Sequence, residues 1–399
     1  MLDELDALVA FSIALVATAA LTPLTTRFAR RVGAVDRARG RGLAVGGTPL
    51  LGGLAMFSGG LVAGAVVLPG SDPVRAVLLA ALVITVVGAV DDRWELSASW
   101  KLAGQVVAAS IAVHGGVSVD HVTLPFLGAV DFGDVGGPLT VVGLVGVMNV
   151  VNLSDGVDGL AAGVCAIGAM TLAVIAFDLE RRSAGVLAAL TAGAALGFLI
   201  HNFHPASAYM GDCGSNLLGL MLGCVAVQGS VKTGAAAAVV FPLIVLAVPF
   251  LDTTFVVLKR VKYHRPVYEA DREHFHHRLD RIGFSTRRTV LYLYAWTLML
   301  AGLALALRFV PFHSDTSGAL NPSWTGVMIA LFTIVLAASI YLVYVLEILK
   351  FKRLDTIRLR RIKPETSDHE IDDDVEQHLE TGEFDSVRRG TEDFERLSS

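Results

Sequence analysis

Cysteine and charge are both scarce in this chain. Cys165, Cys213 and Cys224 are its only cysteines, and their spacing matches neither a zinc motif nor a disulfide framework. Only 17% of the 399 residues are charged, 54% are hydrophobic, and the mean hydropathy is +0.61. A soluble domain of this length rarely has such a composition. The first interpretation is therefore a membrane protein.

The net charge of −5 hides an uneven distribution. Much of the negative charge follows Lys363, whereas Lys and Arg gather in a few short segments before it. The average charge therefore says little about partners. We expect the membrane to be one of them, and we expect no nucleic acid.

Long apolar runs are abundant, and a helix needs about 20 apolar residues to cross the hydrocarbon core. Allowing for shorter helices inside a bundle, eleven runs predict an all-α polytopic membrane protein. The first is expected to be an uncleaved helix. The eleven are Leu5–Phe28, Leu50–Leu68, Val74–Val90, Trp100–His114, Leu139–Leu153, Leu160–Phe177, Ala184–Phe203, Ser215–Gln228, Ala235–Leu258, Val290–Phe309 and Gly326–Leu349.

Positive residues predict the orientation, because Lys and Arg are enriched in short cytoplasmic loops. The segments after the first and ninth runs are rich in arginine, whereas Gly115–Pro138 contains neither Lys nor Arg. Counting runs then predicts an N-terminus outside and a C-terminus in the cytoplasm. We expect a multi-pass protein of the cell membrane.

Three regions follow from these patterns. Residues 1–350 are predicted to form the transmembrane catalytic domain. Residues 351–363 mix Leu and Ile with basic residues, which suits either a segment on the inner leaflet or an ordinary positive flank. Residues 364–399 are acidic and nearly free of apolar runs, so we expect a disordered cytoplasmic tail.

Four clusters of polar residues interrupt or border the apolar runs, where ionisable groups are costly and often functional. By the predicted orientation all four lie on the cytoplasmic side. They are Asp91 with Asp92, the segment from Asn149 to Asp158, the segment from His201 to Asn216, and His274, His276, His277 and Arg278.

The chemistry of the four clusters is complementary. Carboxylates are hard oxygen ligands that suit Mg²⁺ better than zinc. Histidine and arginine donate hydrogen bonds to phosphate oxygens and stabilise developing negative charge. Gly211 and Gly214 permit close backbone approach, and the helix that begins near Ser215 directs its positive end into the same space. Together they predict a site for a divalent cation and a diphosphate.

Each cluster also has an ordinary structural interpretation. Asp91 and Asp92 suit a helix end, Asn152 to Asp158 a polar turn, and His274 to His277 a solvated loop. A transporter of nucleotides or anions would also place Asp and Asn at broken helices. A scaffold protein and an intramembrane aspartyl protease are further alternatives, although no matching intramembrane aspartate accompanies Gly211 and Asp212.

Four ordered motifs, VVGAVDDRW, NVVNLSDGVDGLAAG, HNFHPASAYMGDCGSNLLG and DREHFHHRL, resemble those of the polyprenyl-phosphate N-acetylhexosamine-1-phosphate transferases. The pattern covers roughly residues 5–349. The His-x-His-His-Arg form is closer to the branch that uses UDP-GlcNAc than to the muramoyl-pentapeptide branch, which remains an alternative. The resemblance implies about eleven helices, Mg²⁺ (with Mn²⁺ as a substitute) and transfer of a sugar 1-phosphate from a UDP-sugar to polyprenyl phosphate, releasing UMP. It also implies a role in cell-envelope polysaccharide synthesis.

The resemblance also implies roles for individual residues. Metal ligation falls to Asp212 and Asn152. The catalytic group comprises Asp91, Asp92, Asp155, Asp158 and His274. Substrate binding is expected at Asn202, Gly211, Gly214, Ser215, His276, His277 and Arg278.

The first basic segment departs from the family pattern. Where the family has a Lys-x-His element, this chain reads Arg39-Gly40-Arg41-Gly42. Arg41 or Arg39 is the candidate for binding the lipid phosphate in its place. A homodimer is an expectation by analogy alone.

Overall fold

The computed structural model describes residues 2–36, 47–119, 121–124, 128–229, 247, 286–311 and 321–341. Ten helices account for most of these residues. They are α1 (Glu4–Val32), α2 (Gly52–Val67), α3 (Asp72–Trp94), α4 (Ala98–His114), α5 (Gly136–Ser154), α6 (Leu160–Asp178), α7 (Arg182–Asn202), α8 (Gly211–Gly229), α9 (Thr286–Phe309) and α10 (Pro322–Tyr341).

Two short antiparallel hairpins accompany the helices. β1 (Val35–Asp36) pairs with β2 (Thr48–Pro49), and β3 (His121–Leu124) pairs with β4 (Gly128–Asp131). A 3₁₀ turn, Gly133–Val135, leads from the second hairpin into α5. The hairpins lie at opposite ends of the bundle, because the first follows α1 and the second follows α4, after three further crossings of the chain.

Local sequence signals explain where several helices begin and end. The side chain of Asp3 accepts a 2.9 Å hydrogen bond from the backbone of Asp6, whose own side chain accepts one from Asp3, forming a capping box before α1. Gly33 ends α1 at φ +77°, a left-handed conformation that favours glycine. Pro73 occupies the first turn of α3, where a missing backbone donor costs nothing.

Small residues let the helices approach closely. A Cβ atom on Gly193 or Gly197 of α7 would lie 2.2 or 2.3 Å from the carbonyl oxygen of Phe11 or Leu15 on α1. Side chains larger than glycine would separate these two helices, as expected where association depends on tight packing rather than on excluding water. α6, α7 and α8 contribute much of the buried core.

The described helices support the prediction of an all-α membrane protein. Seven of them are long and apolar enough to cross a membrane, namely α1, α3, α5 with its preceding turn, α6, α7, α9 and α10. α2 is a shorter apolar helix of 16 residues. Ten of the eleven predicted runs overlap a described helix, and the run Ala235–Leu258 lies outside the described residues except for residue 247. The number of spans and their orientation stay predictions, as do the basic and acidic regions after residue 350.

Candidate active site

Helix ends bring the predicted polar residues together at one end of the bundle. Asp91 and Asp92 lie in the last turn of α3, Asn152 lies near the end of α5, and Asp212 lies in the first turn of α8. α8 packs against both α3 and α5, so residues up to 121 positions apart in sequence share one surface. Two groups of contacts can be distinguished on it.

The first group, here the carboxylate cluster, consists of Asp91, Asp92, Lys101, Asn152 and Asp212. One Asp212 oxygen (Oδ1) accepts a 3.1 Å hydrogen bond from Asn152 Nδ2, and the other (Oδ2) accepts one of 3.0 Å from Lys101 Nζ. Lys101 Nζ is also 2.5 Å from Asp91 Oδ2. The ammonium group therefore bridges two carboxylates and offsets their repulsion.

Exposure separates the members of the carboxylate cluster. The side chain of Asp212 is 27% exposed and that of Lys101 is 39% exposed, whereas that of Asp91 is only 6% exposed. Asp91 also accepts a 2.7 Å hydrogen bond from the backbone N–H of Leu96. A substrate approaching this end would therefore meet Asp212 and Lys101 before Asp91.

Asp92 contacts the backbone instead. Its Oδ1 accepts a 2.7 Å hydrogen bond from Asp212 N–H, and its Oδ2 accepts one of 3.2 Å from Cys213 N–H. These N–H groups belong to the first turn of α8, where an anionic acceptor is favoured by the helix dipole. Gly211 adopts φ +69°, and a Cβ there would lie 2.3 Å from Asp92 Oδ2. Asp92 thus caps α8 from a different helix and positions Asp212.

Gly214 and Ser215, both predicted to bind substrate, are buried in the bundle. A Cβ on Gly214 would lie 2.6 Å from Met56 Cε and 3.1 Å from Gly53 Cα, so the glycine allows α2 to approach α8. Ser215 Oγ accepts a 2.8 Å hydrogen bond from Asn152 Nδ2 and donates one of 3.1 Å to Gly211 O. Both residues therefore support the structure of the carboxylate cluster, Gly214 through helix packing and Ser215 through its hydrogen bond to Asn152.

A chain of three amides, of which Gln105 and Asn216 are buried, connects α4, α5 and α8 beneath the cluster. Asn149 Nδ2 donates to Gln105 Oε1 at 2.9 Å, and Gln105 Nε2 donates to Asn216 Oδ1 at 2.7 Å. Asn216 Nδ2 then donates to Asp212 O at 2.8 Å. Buried amides are stable only when hydrogen-bonded, so these contacts specify how the three helices pack. Gln105 lies one helical turn after Lys101 on α4. Its hydrogen bond to Asn216 of α8 therefore helps to hold Lys101 opposite Asp212.

The second group, here the stapled loops, connects residues 155–159 with residues 202–208. Asn202 Oδ1 accepts a 3.0 Å hydrogen bond from Gly159 N–H, and Asn202 Nδ2 donates one of 2.9 Å to Ala208 O. Asp158 Oδ2 accepts from Ala206 N–H at 3.0 Å and lies 2.8 Å from His204 Nδ1. Asn202 is only 2% exposed, so its amide holds the two loops together.

Helix α9 anchors the stapled loops from the other side. Tyr294 OH donates a 2.5 Å hydrogen bond to Gly159 O, and Arg287 Nε donates one of 3.0 Å to His204 O. The Tyr294 hydroxyl lies so close to α6 that a Cβ on Gly163 would be 2.0 Å from it. α9 therefore contacts both stapled loops and also packs against α6.

Asp155 lies between the two groups, just after α5. Within the part of the chain that the structure describes, its carboxylate has no hydrogen-bond or ion-pair partner. Burial raises the pKa of Asp155 well above its usual range, and the nearby carboxylates of Asp212, Asp92 and Asp158 raise this pKa further. Several carboxylates thus surround one lysine, an arrangement that a further cation would stabilise.

The donor atoms at this end fit a hard divalent cation held jointly with a ligand. Among the described residues, no three His, Cys, Asp or Glu side chains converge as a metal-binding group. Mg²⁺ is often bound by only one or two carboxylates together with substrate phosphates. Asp212 and Asn152 are the exposed oxygen-bearing pair that suits this mode.

Sequence reasoning missed Lys101 and Gln105. Lys101 was included in the apolar run Trp100–His114, where a single lysine resembles an ordinary positive flank of a helix. The predicted residues Arg41, His274, His276, His277 and Arg278 lie outside the described residues. Their roles stay predictions.

Comparison with known proteins gives matches over most of the chain. Residues 74–230 match the family described as "Glycosyl transferase family 4". A "Probable undecaprenyl-phosphate N-acetylglucosaminyl 1-phosphate transferase" of Bacillus subtilis is 37% identical over 313 residues, covering 77% of this chain and 87% of that protein. A "Decaprenyl-phosphate N-acetylglucosaminephosphotransferase" of Mycobacterium tuberculosis is 38% identical over 339 residues, covering 76% of this chain and 83% of that protein.

A relative from another branch matches at lower identity. The "Phospho-N-acetylmuramoyl-pentapeptide-transferase" of Desulforudis audaxviator is 33% identical over 345 residues, covering 75% of this chain and 97% of that protein. The order of these identities agrees with the resemblance carried by the His-x-His-His-Arg motif.

Proposed function

Because the chain belongs to glycosyl transferase family 4, we propose that it is a multi-pass membrane enzyme that transfers a sugar 1-phosphate to polyprenyl phosphate. The donor we propose is UDP-GlcNAc, the other product is UMP, and the lipid product serves cell-envelope polysaccharide synthesis. The names of the two N-acetylglucosaminyl relatives support the choice of sugar and lipid. The muramoyl relative, at 33% identity, supports the second candidate donor, UDP-N-acetylmuramoyl-pentapeptide.

The observation that carries the proposal is the partly exposed Asp212 carboxylate at the start of α8, paired with Lys101 and Asn152. Diphosphate chemistry needs both signs of charge at the reacting centre: a cation-binding carboxylate and a cationic donor for phosphate oxygens. A scaffold protein would have no need for a half-exposed lysine held between two carboxylates at the ends of apolar helices.

The proposed reaction is an in-line displacement at phosphorus. An oxygen of the lipid phosphate attacks the β-phosphorus of the UDP-sugar and forms a new P–O bond. The bond between this phosphorus and the oxygen bridging it to the α-phosphorus breaks, and its electron pair leaves with UMP. The product is a polyprenyl-diphospho-sugar. Because the lipid phosphate is already largely ionised near neutral pH, positioning and charge neutralisation do most of the work.

Residues of the carboxylate cluster have distinct proposed roles in this reaction. Asp212 and Asn152 would hold Mg²⁺, which would neutralise charge on the diphosphate when bound. Lys101 would donate to a phosphate oxygen when a substrate reaches the site. Asp91 would keep the Lys101 ammonium in place, and Asp92 would keep α8 in place. Asp155 and Asp158 would shape the surface that receives the nucleotide sugar.

The proposed orientation directs this end of the bundle to the cytoplasm. UDP-sugars are found there, and the basic segments that follow the first and ninth apolar runs belong to the same side by the positive-inside rule. The long isoprenoid would lie in the bilayer, with its phosphate at the membrane surface beside the cluster.

UMP release by the purified chain tests the proposal. The assay contains UDP-GlcNAc, Mg²⁺ and undecaprenyl or decaprenyl phosphate. We compare the unmodified chain with Asp212→Ala and with Asp134→Ala, which removes an exposed carboxylate before α5 at the other end of the bundle. We expect UMP that depends on lipid and metal, persists in Asp134→Ala and is lost in Asp212→Ala.

Other outcomes discriminate between the candidates. UMP formed only from the muramoyl-pentapeptide donor would keep the reaction and change the branch. If the folded, unmodified protein forms no UMP with any donor, the proposal is contradicted. Nucleotide transport would then be the favoured function.

A further inference from the structure

A groove runs between α3 and α4 at the end of the bundle away from the carboxylate cluster. It has a volume of about 590 Å³ and is lined by the first turns of α3 and the last turns of α4. Arg75 on α3 precedes Asp91 by 16 residues, which at 1.5 Å per residue places the groove roughly 24 Å from the cluster. It is therefore a separate site.

The walls of the groove are apolar and face outward. Leu79 and Val107, one from each helix, are each 51% exposed, and Ile111 lies between them and the mouth. Exposed aliphatic side chains on a membrane-spanning helix are expected to face lipid chains. The two helices touch beside the residues at its mouth: a Cβ on Gly115 would lie only 1.9 Å from Ala76 Cβ.

The mouth of the groove carries positive charge. Arg75 is exposed, and its guanidinium lies beside Gly70 in the loop before α3. Within the described part of the chain, Arg75 makes no salt bridge. His114 lies across the groove, and its Nδ1 donates a 2.8 Å hydrogen bond to Ser110 O, which leaves Nε2 for a ligand.

The groove has apolar walls and carries the side chains of Arg75 and His114 at its mouth. This arrangement is complementary to a phospholipid whose acyl chains are apolar and whose head group is anionic. From His114 to Val106 the α4 wall extends roughly 12 Å along the helix, long enough for the upper part of an acyl chain. A lone arginine near a membrane surface often only extends toward water. Here the guanidinium lies over a walled groove, opposite an imidazole whose Nε2 donates to a phosphate oxygen when the ring is protonated.

We infer that this groove binds an anionic phospholipid of the bilayer, with its phosphate at Arg75 and His114 and one acyl chain between α3 and α4. The guanidinium binds the phosphate through a charge-assisted hydrogen bond, and its positive charge favours a head group without a cation of its own. The aliphatic walls bind the chain without regard to the head group. Substitutions can therefore remove the positive charge at the mouth and the apolar groove separately.

Native mass spectrometry of the full chain in detergent tests the inference. The probes are dioleoylphosphatidylglycerol and dioleoylphosphatidylcholine, which share their acyl chains and differ in charge. We expect the unmodified protein to bind the anionic lipid about tenfold more tightly, because both lipids present a phosphate but only phosphatidylcholine carries a quaternary ammonium that offsets its attraction to Arg75.

Two variants separate the contributions of charge and shape. Arg75→Gln combined with His114→Gln should lower phosphatidylglycerol binding to the level of phosphatidylcholine. Val107→Trp should fill the groove and reduce binding of both lipids. Arg288→Gln, which removes another exposed arginine in the first turn of α9, is the matched control and should keep the preference.

Three results would overturn the inference. They are equal binding of the two lipids by the unmodified protein, a preference that survives in the double variant, and a preference lost equally in Arg288→Gln. Selective binding of polyprenyl phosphate in place of phosphatidylglycerol, abolished by the same two substitutions, would also contradict it. None of these readouts involves sugar transfer, so they stand independently of the proposed reaction.

Discussion

The carboxylate cluster and the stapled loops lie side by side and contain the same kinds of residue, yet they use them differently. In the cluster, the Asp212 side chain contacts other side chains, Lys101 and Asn152, and remains partly exposed. In the loops, the Asn202 side chain contacts only backbone groups and is buried. A side chain whose hydrogen bonds are taken by the backbone has little capacity left for a substrate.

Asp92 stands between these two modes. It follows Asp91 directly and lies in the cluster, but both of its oxygens accept backbone N–H groups, as in the loops. The comparison indicates that position within a motif does not decide a residue's role. The partners of its polar atoms do. Substitutions at four positions test that distinction, in order of expected effect.

Asp212→Asn should have the largest effect. It keeps the size of the side chain while removing the negative charge that faces Lys101 and the proposed metal position. We expect initial rates of UMP formation to fall about a thousandfold, the upper range for removing one electrostatic contact from an active site. The melting temperature should change little, because the side chain is partly exposed. Retention of a tenth of the activity would refute a central role for this carboxylate.

Lys101→Met should rank second, with a loss of about a hundredfold. Methionine keeps the length of the side chain but leaves Asp91 and Asp212 without the cation that bridges them. Steady-state kinetics over a range of donor concentrations would measure the loss, and Lys101→Arg serves as the charge-preserving control. Equal activity of the Met and Arg variants would contradict an electrostatic role.

Asp92→Asn and Asp92→Ala together test the role of Asp92, which lies in the carboxylate cluster but contacts backbone groups, as side chains of the stapled loops do. Asparagine keeps an oxygen for the Asp212 N–H but places its Nδ2 against the Cys213 N–H, whereas alanine leaves both N–H groups without acceptors and should cost about 1 kcal/mol of stability. We expect Asn to keep activity within about tenfold of the unmodified chain and Ala to lose more. Should Asn and Ala be equally inactive while equally folded, Asp92 would take part in the chemistry itself.

Asn202→Leu should have the smallest catalytic effect relative to its effect on stability. It removes the partners of Gly159 N–H and Ala208 O in a buried place, which should cost about 1–3 kcal/mol. Thermal unfolding in detergent should therefore begin at a lower temperature. At temperatures where the variant is folded, we expect its KM for the UDP-sugar to stay within about threefold of the unmodified value. A large rise in KM without a change in melting temperature would indicate that Asn202 contacts the nucleotide.

Sequence patterns predicted the helices well because membrane spans depend on long apolar runs, which are local features. The segments around Asp91, Asn152 and Asp212 were predicted to share one end, and the structure brings them together. The prediction succeeded because alternate connections between crossing helices lie at the same end. The individual contacts were not predictable in this way.

The sequence by itself determined the helical membrane architecture and the family, through its apolar runs and four ordered motifs. Only the tertiary structure decided that Lys101 bridges Asp91 and Asp212, and that Asp92 caps a helix that begins 119 residues later, at Gly211. The physical reason is that a hydrogen bond depends on atoms within about 3 Å, and for residues far apart in sequence the packing of helices sets that distance.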